Sequence, residues 1–133
     1  GQWEVTVTPD KLMTTDAFIG VRKNDWPTSD SCVTGVWICP DTKGYKDVYI
    51  AIRCPGRKNF DFPKILEICR EHMTEPKTHT NLPAWEYLEG DFKDWQSRDF
   101  LLRATDKKEG AEIAENLGKR LIDLAKAIEP VFG

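Results

Sequence analysis

The stretch Val48-Tyr49-Ile50-Ala51-Ile52-Arg53-Cys54, with Val33-Thr34-Gly35-Val36-Trp37-Ile38-Cys39 ahead of it, decides the expected fold of this chain. Both runs are short, apolar and rich in β-branched residues, a composition typical of strands. Residues 40–44 have the composition of a type I turn with Gly44 at a left-handed position, so we expect an antiparallel hairpin. Side chains alternate along a strand, so the second run has two faces. One carries Val48, Ile50, Ile52 and Cys54, and the other carries Tyr49, Ala51 and Arg53.

Further strands and two helices are predicted around this hairpin. Apolar patterning indicates strands over residues 3–8, 17–21, 85–92 and 100–104. One amphipathic helix begins at Asp61, with Pro63 in its first turn. The other begins with the capping-box pair Asp106 and Glu109 and is predicted to end at Pro130. The segments 24–30 and 74–83 are rich in turn formers or polar residues and are predicted to be a loop and a connection.

The order of these elements predicts an α+β fold: a mainly antiparallel sheet of about six strands with two helices packed on one face. The other face would be open to water or to a partner, with Tyr49 and Arg53 on it. The length fits one domain over residues 1–133. Because the sequence starts at Gly1 without Met, an excised or processed piece of a longer protein is an equal expectation.

The overall charge and the cysteines restrict the class of protein. A net charge of −3 gives no global positive field that would draw the chain to nucleic acid or anionic lipid. We find no apolar run long enough for a membrane span, and we expect no membrane association. Cys39 and Cys54 end apolar strand-like runs, and Cys69 lies on the apolar side of a predicted helix. We therefore expect reduced thiols in a cytoplasmic protein, with one disulfide as the alternative.

The motifs of common catalytic sites are missing from the sequence. No C-x2-C pair supports a zinc site, no G-x-S-x-G elbow supports a nucleophile, and no glycine-rich loop supports a nucleotide, so we expect no metal and no cofactor. Of the acid-x-Lys tripeptides, only Asp91-Phe92-Lys93 lies near a predicted strand end. Metal-assisted phosphodiester hydrolysis by Asp91 and Lys93 is therefore one alternative function.

Aromatic and basic residues give the main indication of function. Five tryptophans are more aromatic mass than one small core readily absorbs. We assign Trp37 and Trp85 to the core. Rings that stack and guanidinium groups that reach phosphate or carboxylate are typical of nucleic-acid and protein interfaces. The predicted binding residues are Arg22, Trp26, Tyr49, Arg53, Trp95 and Arg98.

The spacing of strands and tryptophans also resembles a known kind of domain. The residues that carry the likeness are Phe18-Ile19-Gly20-Val21, Trp26, Val48-Tyr49-Ile50-Ala51-Ile52, Trp85-Glu86-Tyr87, Asp94-Trp95 and the closing amphipathic helix. This pattern is similar to an accessory domain associated with PD-(D/E)XK nuclease domains in bacterial defence and mobile-element proteins. The resemblance implies a non-catalytic accessory module. The nuclease motif itself, a strand-borne acid-x-Lys preceded by another acid, is not matched.

These observations lead to a first hypothesis of a non-catalytic recognition module that binds nucleic acid or a partner protein and is accessory to a nuclease. The alternatives are the metal-dependent nuclease-like enzyme and an oligomerisation or protein-interaction domain with its tryptophans buried between subunits. The sequence leaves the oligomeric state open.

Overall fold

The predicted hairpin lies at the centre of a six-stranded antiparallel sheet. The structure, a computed structural model, describes residues 1–7, 19–29, 32–42, 46–54, 60–95 and 97–132. The strands are β1 (Trp3–Val7), β2 (Ile19–Lys23), β3 (Thr28–Ser29), β4 (Cys32–Val33), β5 (Gly35–Thr42), β6 (Lys46–Arg53), β7 (Lys77–His79) and β8 (Leu82–Tyr87). Their order across the large sheet is β1-β2-β5-β6-β8-β7, and β3 pairs with β4 in a separate two-stranded ribbon.

The helices α1 (Phe62–Cys69) and α3 (Lys107–Phe132) cover one face of this sheet. A third helix, α2 (Arg98–Thr105), packs against α3, and a 3-10 turn spans Gly90–Lys93. Ile65 of α1 and Leu124 of α3 are buried in one cluster with Ile50 of β6, which places α1 and α3 on the same side. The predicted α+β fold is confirmed, with three α-helices among the described residues rather than two.

The register of the central strands decides which side chains enter this core. Val36 pairs with Ile52 and Ile38 with Ile50, so these four side chains share the helix-covered face. Trp37 pairs with Ala51, which in turn pairs with Trp85 on β8, so this row lies on the opposite face. Trp37 is therefore buried as predicted but lies away from the helices.

The opposite face is not open along its whole width, contrary to the sequence-based expectation. Trp37 is 4% exposed, Cys39 is 6% exposed and Ala51 is 1% exposed. Tyr49 and Arg53 lie on this face as predicted and are half-buried. The accessible part is therefore the side near β6 and β8.

The helix caps follow the sequence. Asp61 Oδ1 accepts a hydrogen bond from the Lys64 N–H (3.1 Å), and Asp106 Oδ2 accepts one from the Glu109 N–H (2.8 Å). Each bond satisfies a donor that the first turn of a helix leaves unpaired.

The helix α3 continues past Pro130 to Phe132, so the predicted end was wrong. Phe132 packs against Trp26 and Phe60, and these tertiary contacts hold the last turn in place.

The structure corrects three further local predictions. Residues 100–104 form part of α2 instead of a strand, because Ser97 caps a helix and Phe100 alone of this helix is buried. The segment 74–83, expected to be a connection, contains the edge strand β7. The first hairpin strand begins at Gly35 and runs to Thr42, while the predicted left-handed Gly44 lies outside the described residues.

Cys39, Cys54 and Cys69 are buried and form no disulfide, while the side chain of Cys32 is not among those described. Burial raises the pKa of the Cys39 thiol to about 11 and that of Cys69 to about 12. None of the helices in the described part of the chain is both long and apolar enough to cross a membrane.

Candidate functional site

Aromatic rings and lysines meet on the sheet face opposite the helices, at the side formed by β6, β8 and β7. We call this group the aromatic-lysine face. Its members are Tyr49 of β6, Trp85 and Tyr87 of β8, Lys77 of β7, and Lys93 of the 3-10 turn. Its three rings are half-buried, so part of each ring reaches solvent.

Strand register brings these residues together. Tyr49 pairs directly with Tyr87, and Lys77 pairs directly with Trp85. Trp85 and Tyr87 are two positions apart on one strand, so they point to the same side. The Trp85 ring lies 5.2 Å from the ring of Tyr87 and 5.8 Å from that of Tyr49, both edge-to-face. This is the favoured geometry for aromatic pairs, and it fixes the rings relative to one another.

Both lysines place their charge against these rings. Lys77 Nζ lies 5.1 Å from the ring centroid of Trp85 and 5.4 Å from that of Tyr87. Lys93 Nζ lies 4.5 Å from the centroid of Tyr87. These distances are within the range of cation–π attraction. The face therefore presents positive charge and aromatic surface at the same place.

Asp47 helps to position Lys93. Its Oδ1 atom lies 3.8 Å from Lys93 Nζ. The backbone of Asp47 has a φ of 50°, in the left-handed region that an aspartate tolerates better than most non-glycine residues. Both side chains of this pair remain substantially exposed, so the ion pair contributes little to stability.

A recess opens beside the rings. It has a volume of about 290 Å³ and is lined by Tyr49, His79, Leu82 and Trp85. The indole Nε1 of Trp85 is buried, and no acceptor for it is found in the described part of the chain.

Two of the six predicted binding residues belong to this face or adjoin it. Tyr49 is a member, and Arg53 lies on the same side of β6, opposite Gly35. Arg53 also lies close enough to Cys39 to counteract, in part, the effect of burial on the pKa of that thiol.

Arg22 and Trp26 instead have structural roles. Arg22 is 8% exposed, and its Nε donates to the Thr34 carbonyl (2.8 Å) while Nη2 donates to the Trp26 carbonyl (2.5 Å). Trp26 is 3% exposed in the core cluster. Arg22 thereby links β2 to the backbone at Trp26 and Thr34. The buried indole of Trp26 offers no ring face to a ligand.

Trp95 and Arg98 lie in another part of the molecule. Trp95 stacks on Phe100 with an interplanar angle of 4° and a centroid distance of 5.5 Å. Arg98 is exposed at the start of α2. The structure therefore does not gather the six predicted residues at one place.

Sequence reasoning missed four members of the face. Trp85 was assigned to the core, Lys93 was considered only for catalysis, and Tyr87 and Lys77 were not predicted as binding residues. The alternation Trp85-Glu86-Tyr87 was the available signal, because it places two aromatic residues on one side of a strand. The lysines gave no such signal, since their proximity depends on strand pairing across the sheet.

Asp91 and Lys93, the residues considered for metal-assisted hydrolysis, do not lie on a strand. These residues lie in the 3-10 turn, so they do not project in parallel from one strand. Lys93 is paired with Asp47, and the Asp91 side chain is outside those described. Within the described ranges, no group of three or more His, Cys, Asp and Glu residues could hold a metal ion.

Comparisons of this chain with protein-family models, with curated proteins and with solved structures found no match.

Proposed function

We propose that this chain binds single-stranded nucleic acid through the aromatic-lysine face. The observation that carries the proposal is the pairing of charge with ring: Lys77 Nζ against Trp85 at 5.1 Å and Lys93 Nζ against Tyr87 at 4.5 Å. A single strand offers phosphate and an unpaired base next to each other. Lysine and aromatic side chains recognise these two groups.

The rings favour a single strand over a duplex. Bases in a duplex are stacked on each other and expose only their edges, whereas an unpaired base can lie on an aromatic side chain. Tyr49, Trp85 and Tyr87 are fixed on adjacent strands, so a ligand would find the surface already formed. A preformed surface reduces the entropy lost on binding.

A base that stacks on Trp85 or Tyr87 must move a lysine from the ring face. An exposed cation–π contact is worth about 0.5–1 kcal/mol. Stacking of a base on an aromatic side chain is worth about 1–3 kcal/mol. The exchange is therefore favourable, and the displaced ammonium group is then available to a phosphate.

The charge balance sets the strength of binding. The chain as a whole carries −3, so long-range attraction of a polyanion is weak. Locally, Lys77, Lys93 and Arg53 supply positive charge, while Asp47 lies beside Lys93, and Glu75 and Glu89 line a recess together with Lys77. We therefore expect modest affinity that falls moderately as salt increases.

The cellular setting is part of this proposal. Three buried cysteines, none of them in a disulfide, favour a reducing, cytoplasmic compartment, where nucleic acid is accessible. The resemblance to nuclease-associated domains favours an accessory role, in which this face would hold a strand for a separate catalytic domain.

Titration with single-stranded and double-stranded oligonucleotides of about ten nucleotides tests the proposal, because this length covers the site sizes of comparable binding domains. Binding is followed by fluorescence anisotropy of the labelled oligonucleotide at about 50 and 200 mM salt. We expect tighter binding of the single strand. Neutralisation of two phosphates by the two lysines gives a slope of log K against log salt of about −1.4.

Matched variants distinguish binding at this face from attraction of the oligonucleotide to positive charge elsewhere on the surface. Lys77→Ala combined with Lys93→Ala should flatten the salt slope, whereas Lys64→Ala combined with Lys126→Ala, two exposed lysines of α1 and α3, should not. Trp85→Ala should weaken binding about tenfold, since one stacked base is lost. Trp3→Ala removes a 40% exposed indole elsewhere and serves as its control. Equal effects of the two lysine pairs, binding of a protein partner alone, or no binding of either oligonucleotide would overturn the proposal.

A further inference from the structure

A second and larger cavity lies on the helical side of the molecule, between α2, α3, the end of β8 and the 3-10 turn. Its volume is about 720 Å³. Volumes of about 300–1,000 Å³ are typical of sites for small organic ligands. Its walls combine apolar Leu88, Phe92 and Leu117 with charged Glu89, Arg103 and Arg120. This cleft contains no residue of the aromatic-lysine face.

Arg120 is held rigidly at one wall. Its Nη2 donates to Glu86 Oε1 at 2.6 Å. Glu86 is itself fixed, because its carboxylate accepts from the backbone N–H groups of Thr74 and Glu75 at 3.0 and 3.1 Å. The Arg120 side chain remains 33% exposed, so the rest of its guanidinium group faces the cleft. A guanidinium carries five N–H donors, and two of its three nitrogens are left for a ligand.

Arg103 contributes the second guanidinium group. Its Cζ lies 5.5 Å from the ring centroid of Phe92, within cation–π range. The helix that carries it is anchored by Phe100, which stacks on Trp95 and lies 6.2 Å from the Phe92 ring. Phe92 and Arg103 thus enter the cleft from an ordered aromatic cluster.

Two arginines and one glutamate line the cleft. Glu86 lies outside this lining and is ion-paired with Arg120, so it balances one of the two positive charges. The hydroxyl of Thr74 donates a hydrogen bond to Glu89 Oε1 (3.2 Å), so one oxygen of the Glu89 carboxylate already has a partner. Two guanidinium groups beside an apolar wall match a ligand with one anionic end and one apolar end.

We propose that this cleft binds a small organic anion, a carboxylate or phosphate monoester on a short apolar body. The anionic group lies between Arg103 and Arg120, where charge-assisted hydrogen bonds are strong. The apolar body lies against Leu88, Leu117 and Phe92. The proposal is independent of nucleic-acid binding at the sheet face.

Three simple probes test this inference: hexanoate, hexyl phosphate and hexanol. Binding is followed by the indole N–H resonances of isotope-labelled tryptophan, assigned by single Trp→Phe variants. Because Trp95 belongs to the aromatic cluster behind Phe92, a ligand in the cleft should shift the Trp95 signal. The Trp85 signal, which reports on the sheet face, should stay unchanged. An oligonucleotide should give the opposite result.

Variants of the two arginines provide the decisive comparison. Arg103→Gln should weaken binding of the anion about tenfold or more, because a charge-assisted hydrogen bond is lost. Arg98→Gln on the same helix, which does not line the cleft, is the matched control and should leave binding unchanged. Leu117→Glu should block the site. Thermal unfolding of each variant checks that the fold is retained.

Each result has a defined meaning. Tighter binding of hexanoate or of hexyl phosphate than of hexanol supports the site and identifies the preferred anion. Equal binding of hexanol, loss of binding in Arg98→Gln, or a shift of Trp85 instead of Trp95 would overturn it. No shift by any of the three probes would overturn it as well.

Discussion

The indole of Trp37 lies directly over Gly20 on the neighbouring strand. A Cβ atom at Gly20 would come within 1.6 Å of Trp37 Cε3, far closer than atoms can approach. The two residues pair directly in the β2–β5 ladder, and Trp37 is 4% exposed. Gly20 therefore provides the space in which this indole packs against the sheet, on the face away from the helices.

Gly20→Ala should destabilise the protein by about 1–3 kcal/mol or more, because the methyl group must displace a buried ring. Urea unfolding followed by circular dichroism measures the change. Gly118→Ala is the matched control: no atom lies within 4 Å of a Cβ there, and Gly118 is inside α3. Alanine at that position should stabilise the helix by about 0.5–1 kcal/mol. Equal effects of the two substitutions would contradict this account.

Glu86 joins three parts of the chain through one carboxylate. It is 7% exposed and binds Arg120 of α3 and two backbone N–H groups ahead of β7. Glu86→Ala should lower the free energy of unfolding by about 2–3 kcal/mol, because hydrogen bonds to a charged group are lost and their donors are left without an acceptor. Glu71→Ala changes an exposed glutamate in the same region and should cost little. A small loss of stability in Glu86→Ala would show that water replaces the carboxylate.

The buried thiols predict a pH dependence at the alkaline end. Desolvation raises the pKa of Cys39 to about 11 and of Cys69 to about 12, from an ordinary value of 9.0. Both thiols are protonated in the folded and unfolded states below pH 9, so their contribution to stability is constant there. Above pH 9 the unfolded chain releases these protons first, so stability should fall as pH rises towards 11–12.

Alkylation followed by mass spectrometry checks the protection of these thiols. At pH 8 the peptides containing Cys39 and Cys69 should stay unmodified in the folded protein and react fully in urea. Replacement of both cysteines by alanine should reduce the alkaline loss of stability. Rapid modification under native conditions would show that these thiols are accessible.

The start of α2 depends on a single side chain. Ser97 Oγ accepts a hydrogen bond from the Phe100 N–H at 3.1 Å. Ser97→Ala should therefore lower the free energy of unfolding by about 1 kcal/mol and speed hydrogen exchange of the Phe100 backbone N–H. Ser97→Asp keeps an acceptor at this position and should restore protection. If exchange at Phe100 is the same in Ser97→Ala as in the original protein, the cap is not what begins this helix.

The parts of the fold that were predicted correctly follow from local patterns. The apolar alternation in β6 identified both of its faces, and the capping residues Asp61 and Asp106 identified the starts of two helices. The strand predicted at residues 100–104 was wrong because a short apolar run has no clear period. The burial of Phe100 next to exposed Leu101 and Leu102 distinguishes helix from strand, and burial is not visible in the sequence.

The candidate site was predicted only in part for a related reason. Tyr49 was identified because it lies on one side of a predicted strand. Lys77 is distant from Tyr49 in the sequence, and it joins the face because β7 pairs with β8 and β8 pairs with β6. Trp26 was misplaced because the composition of a loop does not reveal that its indole packs against Phe132 at the far end of the chain.

The sequence by itself determined the class of fold, the central hairpin and the starts of two of the helices, because alternation and capping act between residues that are close along the chain. Tertiary structure alone decided that Lys77 and Lys93 lie against the rings of Trp85 and Tyr87, and that Arg103 and Arg120 line one cleft. These groups come from separate elements, and the register of the strands and the packing of the helices set the distances between them.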